Sequence, residues 1–549
     1  MSPSPAPIDR KLAAWLWGGL FLLGAVAYGR PPSSWKALEA RHAVISAIEV
    51  EVGEVFDVTK PEEDVWFGRL ANTLHKSTRP NVIQRALLFQ VGDKVRERRI
   101  YETERLLRAM PFVKDAHIVP VVAADGTVVA KVQVRDAWTL KVNASFSSVG
   151  GQKSADMAVQ EDNFMGHGKQ VAFAVAKDQE RSTWGFSYGD PQLFGSRWTL
   201  RVANQFMSDG FTRSFMLERP FFALDTPWAT NLTASSHKAD LLFYDQGKEI
   251  FRSPYRVDTF QVGAAWVLDG GDRVWRAGVL LRSNETRYGD LIVAPEPAPI
   301  PFLPPPWPNR RLRGPGLSLS TQKDAFDSFT DLQGMDTPED YNLAWTGSLA
   351  VGEYLRPWGS TETAPFLEVN LANGWSRNER NLGLFTASWK GRRGPNGMED
   401  AHLDLALTQY HKVTDAQILA AYGAFSASRH PDPENWYDLG ALQGLRGYPN
   451  HLHPGDGRWQ TSLEYRMLTQ KRWWGMLRLG FLAFADVGAI HRMDGEGWSR
   501  AYSDVGLGIR LGNLKSSMGR VIQFTVAVPL NRQAGQPGYQ LAVGNVLQF

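Results

Sequence analysis

"RWQTSLEYRM", residues 458–467, decides the fold. In an extended chain successive side chains point to opposite faces. Trp459, Thr461, Leu463, Tyr465 and Met467 therefore share one face, and Arg458, Gln460, Ser462, Glu464 and Arg466 share the other. The first face suits lipid and the second suits water. A basic residue facing lipid near the bilayer midplane costs roughly 2–4 kcal/mol, so a membrane strand with this pattern must turn its charges toward a polar interior. A soluble sandwich would instead bury the apolar face between two sheets, and alternation alone does not separate the two.

Neighbouring segments separate them. From Thr139 to Phe549, alternating stretches of about ten residues recur between turn residues, the pattern of transmembrane barrel strands. Trp389, Trp436, Trp473 and Trp474 fall at strand ends, where aromatic girdles form. The closing stretch "YQLAVGNVLQF" (539–549) alternates up to an aromatic carboxyl terminus. A last strand of this kind must pair with the first to leave no open edge in lipid. The expected seam joins it to the strand from about Leu140 to Ser148, with Leu140 and Val142 on one side and Gly544 and Phe549 on the other. An interior glycine such as Gly544 weakens a closing strand.

The count is about 20 candidate strands. Counting back from the C-terminus puts the short turns "HKVTDA", "LDGGD", "DPQLFG" and "NFMGHG" at a periplasmic end. The stretch 445–457 and the Pro-rich 294–308 then fall at the outer end, as short inner turns and long outer loops require. A loop with eight prolines between 295 and 308 favours polyproline II, either as a stiff surface segment or as a recognition surface.

The N-terminal portion differs. Arg10 and Lys11 precede the apolar run 12–28, and Ala25-Val26-Ala27 supplies small residues, so 1–27 is expected to be a cleaved export signal, an uncleaved anchor being the alternative. A linker with a short helix follows over 28–43. Residues 44–138 then read as strand, helices and hairpin. "VISAIEVEV" alternates, 62–79 and 101–110 carry apolar residues at helical spacing, and two alternating runs meet at Asp125-Gly126. Such a unit leaves one sheet edge open to a partner strand.

Composition excludes several functions. The net charge of +3 gives no polyanion-binding face, so no nucleic-acid partner is expected. With no Cys, disulfides, thiolate ligands and a cysteine nucleophile are ruled out. His451, His453 and Asp456 are too weak a set to indicate a metal, and the 11 histidines form no catalytic arrangement with Ser and acidic residues. No enzyme activity or cofactor is expected.

"LRGY" (445–448), "SLEYR" (462–466), "FADVG" (484–488) and the terminal Phe549, in this order, resemble the outer-membrane assembly-factor superfamily, the BamA/TamA group with its two-partner-secretion relatives. "LLFQVGDKV" and "ERLLRAMPFVKDAHI" resemble a POTRA domain, and "QEDNFMGHG" and "YGDPQLFG" resemble the first periplasmic turns of the family barrel. The resemblance implies an all-β transmembrane antiparallel barrel of 16 strands behind a small α/β POTRA-like domain. It implies a loop folded into the lumen, carrying Arg446, Gly447 and Tyr448. The strand alternation turns Glu464 and Asp486 inward, and these are the carboxylates expected to hold Arg446. The histidines after it would then be the exposed part of a loop returning to the surface.

The implied function is insertion or translocation of unfolded outer-membrane or secreted polypeptides, with membrane lipid and periplasmic chaperones or accessory proteins as further partners. A secretion pore of the two-partner kind is the alternative, with "SSWKALEARHA" (33–43) as a short candidate plug. An adhesive barrel presenting the Pro-rich loop is a third reading.

Overall fold

The computed structural model describes residues 34–61, 64, 66–122, 127–149, 152–178, 180–245, 247–293, 307–395, 397–493, 497–514, 521–532, 536 and 538–544. The expected export signal, the Asp125-Gly126 turn, most of the Pro-rich loop and Phe549 lie outside them.

An α/β domain comes first, with helix α1 (Ser34–Ala40), strand β1 (Ile45–Gly53), helices α2 (Trp66–Leu74), α3 (Pro80–Ala86) and α4 (Glu97–Arg108), and strands β2 (Val113–Val122) and β3 (Val128–Asp136). The sheet order is β1-β3-β2, with β1 parallel and β2 antiparallel to β3. Ile100 and Leu107 of α4 and Val82 and Ile83 of α3 are buried against Ala116, Val128 and Val132 of the sheet. Pro80 opens α3, where the missing N–H has no helical acceptor to lose.

Helix α1 is not a plug. Its Trp35 and Leu38 are buried in this domain's core, and Trp35 Nε1 donates to the Ile118 carbonyl at 2.9 Å. That contact also occupies the outer edge of β2. Glu104 accepts from Ile118 N at 2.8 Å, and Pro120 removes the next donor. The edge left open is that of β1, which pairs only with β3 from Ala47 to Gly53 among the described residues.

All but two of the remaining strands, Phe326–Thr330 and Pro338–Asn342, form one large antiparallel sheet joined in chain order. It has 23 segments, three of which (Ile292–Val293, Tyr437–Leu439 and Gly497–Trp498) are two or three residues long. The other 20 among the described residues are full strands, against the 16 implied by the family resemblance. Within 228–354, long strands such as Trp228–Asp245 and Lys248–Gly270 register over most of their length and belong to this sheet. The sheet curls until its last strand, Gln540–Gly544, meets its first, Leu140–Val149, where Leu541 stands opposite Ser148, the one registered pair among the described residues. Leu140, Val142 and Gly544 lie on these two strands, where they also pair on the flanks away from the junction with Glu161, Val159 and Gln523, and Phe549 lies outside the described residues. Ser148 and Leu541 are the registered pair of the seam among the described residues.

Alternation sorts the two faces. Leu463, Tyr465 and Met467 are exposed outward, whereas Ser462, Glu464 and Arg466 are buried inward. Trp436 is not part of an outer girdle. It lies between strands and packs inward on Phe243, ring centroids 4.8 Å apart.

The α/β domain is seated on one end of the sheet. The turns 163–168 and 191–197 have matching backbones, with Met165 and Phe194 at φ 54° and 53° and Gly166 and Gly195 at 75° and 74°. Helix α3 bridges both. Arg79 N donates to Gly166 O at 3.0 Å, and Arg197 donates to Ala86 O and Leu87 O at the helix end. A Cβ on Gly166 would meet Ser77 O at 2.5 Å, so the approach requires glycine.

Candidate functional site

The stretch 440–452 leaves the far end of the sheet and folds into its interior. Leu445, Tyr448 and Leu452 are buried with Leu439, Ile490 and Tyr502, which pins both flanks of Arg446. The Tyr448 hydroxyl donates toward Ser503 O at 2.9 Å and Asn531 Oδ1 at 2.5 Å. Gly447 lies so close to the wall that a Cβ would come within 2.5 Å of the Asp504 Cβ.

Arg446 is clamped by its expected carboxylates. Nε and Nη2 donate to the two oxygens of Asp486 at 2.8 and 2.7 Å, and Nη1 donates to Glu464 at 2.5 Å. This is the bidentate fork that a planar guanidinium makes with a carboxylate. Two further partners share the strand phase but were not singled out from sequence. Ser462 Oγ accepts from Nη2 at 3.0 Å, and the guanidinium lies 3.5 Å from the centroid of the Phe484 ring. Arg446 is only 4% exposed, so the clamp is not a pair of solvated lumen charges.

The second oxygen of Glu464 accepts from Arg466 at 2.7 Å, and Arg466 Nη1 donates to Leu332 O at 2.6 Å. Leu332 belongs to a segment the sequence did not distinguish from ring strands. Phe326–Thr330 pairs with Pro338–Asn342 in a hairpin separate from the ring, projecting inward from the end that bears the α/β domain. Its tip, with Leu332 and Met335 fully buried, packs on Tyr410, Ile418, Leu468 and Leu514 of the wall. Arg478 donates to Asp331 at 2.9 Å and Asp336 at 2.7 Å, and Arg510 donates to Gln333 O at 2.9 Å. Its base is held by α4, through Arg105 to Asp324 at 2.9 Å and Arg108 to Asp340 at 3.2 Å. A continuous polar chain thus runs from α4 through the hairpin, Arg466 and Glu464 to Arg446.

The histidines are tethers and not an exposed tip. His453 is 3% exposed, with Nδ1 2.7 Å from Asp245 and Nε2 2.9 Å from the Tyr502 hydroxyl. His451 bridges Asp438 of the segment Tyr437–Leu439 and Glu180 of the turn before Ser182–Asp190, and stacks on Tyr244. Burial disfavours its charged ring, but the hydrogen bonds to Asp438 and Glu180 outweigh this and push it up to about 10. No cluster that would hold a metal occurs among the described residues.

Beside the clamp the interior stays open. A cavity of about 600 Å³ is lined by small polar groups such as Ser320, Ser348, Asn370 and Ser388. A second, of about 390 Å³, carries Arg282 with Glu368 and Arg392 with Asp432.

No protein-family model matches the chain, and no curated protein sequence does. Among solved structures it is similar to BamA from Haemophilus ducreyi lacking POTRA domains 1–3 (12% identity, TM-score 0.38, 91% of this chain and 84% of that one). It is also similar to CdiB from Escherichia coli (12%, TM-score 0.45, 91% and 75%) and from Acinetobacter baumannii (11%, TM-score 0.40, 92% and 74%). At these identities and TM-scores the likeness does not by itself assign a function.

Proposed function

We propose that the chain is an outer-membrane protein-translocation factor of the assembly and insertion type, with its α/β domain acting as a POTRA-like unit in the periplasm. The observation that carries this is the Arg446 clamp, an Arg-Gly-Tyr loop folded into a strand-lined interior and fixed by Glu464 and Asp486. The meeting of the last strand with the first supports the same reading. An unfolded polypeptide strand would add to the open edge of β1, the edge of β2 being occupied, and pass to the seam between Ser148 and Leu541. Folding of the substrate drives the step, without nucleotide, metal or enzyme chemistry. Membrane lipid and periplasmic chaperones or accessory proteins are the further partners.

Two engineered cysteines test this in a chain that has none. In proteoliposomes holding the full chain, insertion of a urea-unfolded outer-membrane barrel is expected to stop when Ser148→Cys and Leu541→Cys are oxidised together, and to return on reduction. Insertion unaffected by the crosslink would sink the seam mechanism, and no insertion by the wild type would sink the insertase reading.

A second reading, a pore exporting one extended polypeptide, is favoured by the polar cavity and by the hairpin that projects into the interior and packs on its wall. Planar-bilayer conductance separates the two. A pore conducts once the hairpin is withdrawn, whereas an insertase with a sealed lumen does not.

A further inference from the structure

On strands Gly210–Arg219 to Arg310–Lys323, the outward apolar residues include Phe215, Phe260, Val279, Leu281 and Leu317. Directly paired residues of a sheet share a face. Toward the end away from the α/β domain, the outward positions that follow this apolar band turn basic on five consecutive strands. Lys238 pairs with Arg256 and Arg256 with Arg287, Arg213 pairs with Ser236, and Arg311 and Arg313 pair with Glu285 and Ser283. Six cations thus form one lateral stripe.

Two carboxylates lie inside it. Glu285 takes Arg287 at 2.5 Å and Arg311 at 3.0 Å, and Asp258 takes Arg256 at 2.9 Å. Cations remain in excess, and the side chains of Arg256, Arg287, Arg311 and Arg313 are 40–51% exposed despite these pairs. The stripe ends on the next strand, whose outward residue is Glu353. On the wall across the ring the corresponding outward positions are Gly457 and Trp459, Ala489 and His491, and Ser503, with no Lys or Arg among them. Cations that merely marked the membrane boundary would appear on both walls.

We infer that this stripe binds phosphate-bearing lipid headgroups of the leaflet facing away from the α/β domain. The apolar band beneath it meets acyl chains, and long basic side chains at its rim extend to headgroup level. A guanidinium offers a fork of donors that matches two phosphate oxygens. The phosphate chemistry is shared by a free anion, but a free anion gains nothing from the apolar band. The inference rests on the membrane reading above.

The full chain is incorporated into phosphatidylcholine nanodiscs with or without diphosphorylated lipid A, and lipid retained after extraction is counted by native mass spectrometry. Incorporation of the wild type tests the membrane reading separately. The first variant is Arg287→Gln, Arg311→Gln and Arg313→Gln with Glu285→Gln, so that no carboxylate is stranded. The second, Arg213→Gln with Lys238→Gln, breaks no pair with Glu285. Each is expected to retain about five-fold less lipid A or lower, with phosphatidylcholine unchanged, and wild-type retention is expected to fall with salt. Equal retention by wild type and both variants overturns the inference. So does displacement of lipid A by equimolar inorganic phosphate, which would make the stripe a free-anion site.

Discussion

Removing Arg446 strands two buried carboxylates. Glu464 and Asp486 are 1% and 2% exposed, and breaking a buried ion pair from one side costs roughly 3–5 kcal/mol. Arg446→Ala is expected to lower the urea stability of the folded chain by about that amount, and adding Asp486→Asn is expected to restore part of it. A single variant as stable as the wild type would show that the clamp holds nothing. Arg446→Lys keeps the charge but not the fork, and belongs between the two. The pairing was readable because the family resemblance implied that the loop carrying Arg446 enters the lumen, and strand alternation put 464 and 486 together on the inward face. The histidines were not readable, since the partners of His451 and His453 lie on other segments, as far as 208 positions away at Asp245. The raised value of His451 carries a pH dependence. The tether it makes between Asp438 and Glu180 is at full strength below about pH 6.5 and is lost as pH rises through about 10. Hydrogen exchange of the 440–452 loop is therefore expected to quicken between pH 8 and 10.5, after correction for the intrinsic rate, and His451→Gln to abolish that step. A loop whose protection stays flat across this range would refute the tether.

Strands were the most legible elements, and the helices less so. Periodicity located α2 and α4, but α3 is seven residues long and offers too few turns for a pattern. The hairpin of Phe326–Thr330 and Pro338–Asn342 was legible as strands but not as a separate element, because a two-stranded hairpin alternates just as a ring strand does. Only its contacts distinguish it. Arg478 bonds both Asp331 and Asp336, so Arg478→Ala releases two of the tip's anchors at once. On the pore reading, single-channel recordings are expected to show longer or larger openings in this variant, and larger still when a short Gly-Ser turn replaces 326–342. Conductance at the wild-type level in both variants would mean that the hairpin does not close the interior. Tethering at its base by α4 implies that Arg105→Ala acts in the same direction, more weakly, because Arg108 still holds Asp340.

For the whole molecule, the strand count read from sequence agrees with the 20 long strands of the ring, while the number implied by resemblance does not. The junction of the last strand with the first was legible, but its register was not, since that depends on two strands at opposite ends of the chain. Trp228–Asp245 and Lys248–Gly270 share a ladder over most of their length, whereas Tyr437–Leu439 pairs over three residues. Local stability follows hydrogen-bonded contact, so amides of 228–270 are expected to exchange more slowly than those of 437–439. Equal protection of the two would overturn this. The hairpin carries a further consequence, for the order of assembly. Its anchors Arg466, Arg478 and Arg510 are supplied 134 to 177 positions later in the chain than the residues they hold. Contacts of such sequence separation form late, because a long loop must close before they give anything back. The hairpin therefore waits unanchored while the middle strands form, and the arrival of the C-terminal strands sets it in place as they complete the wall. A chain truncated after residue 452 would form strands around a hairpin with none of these anchors.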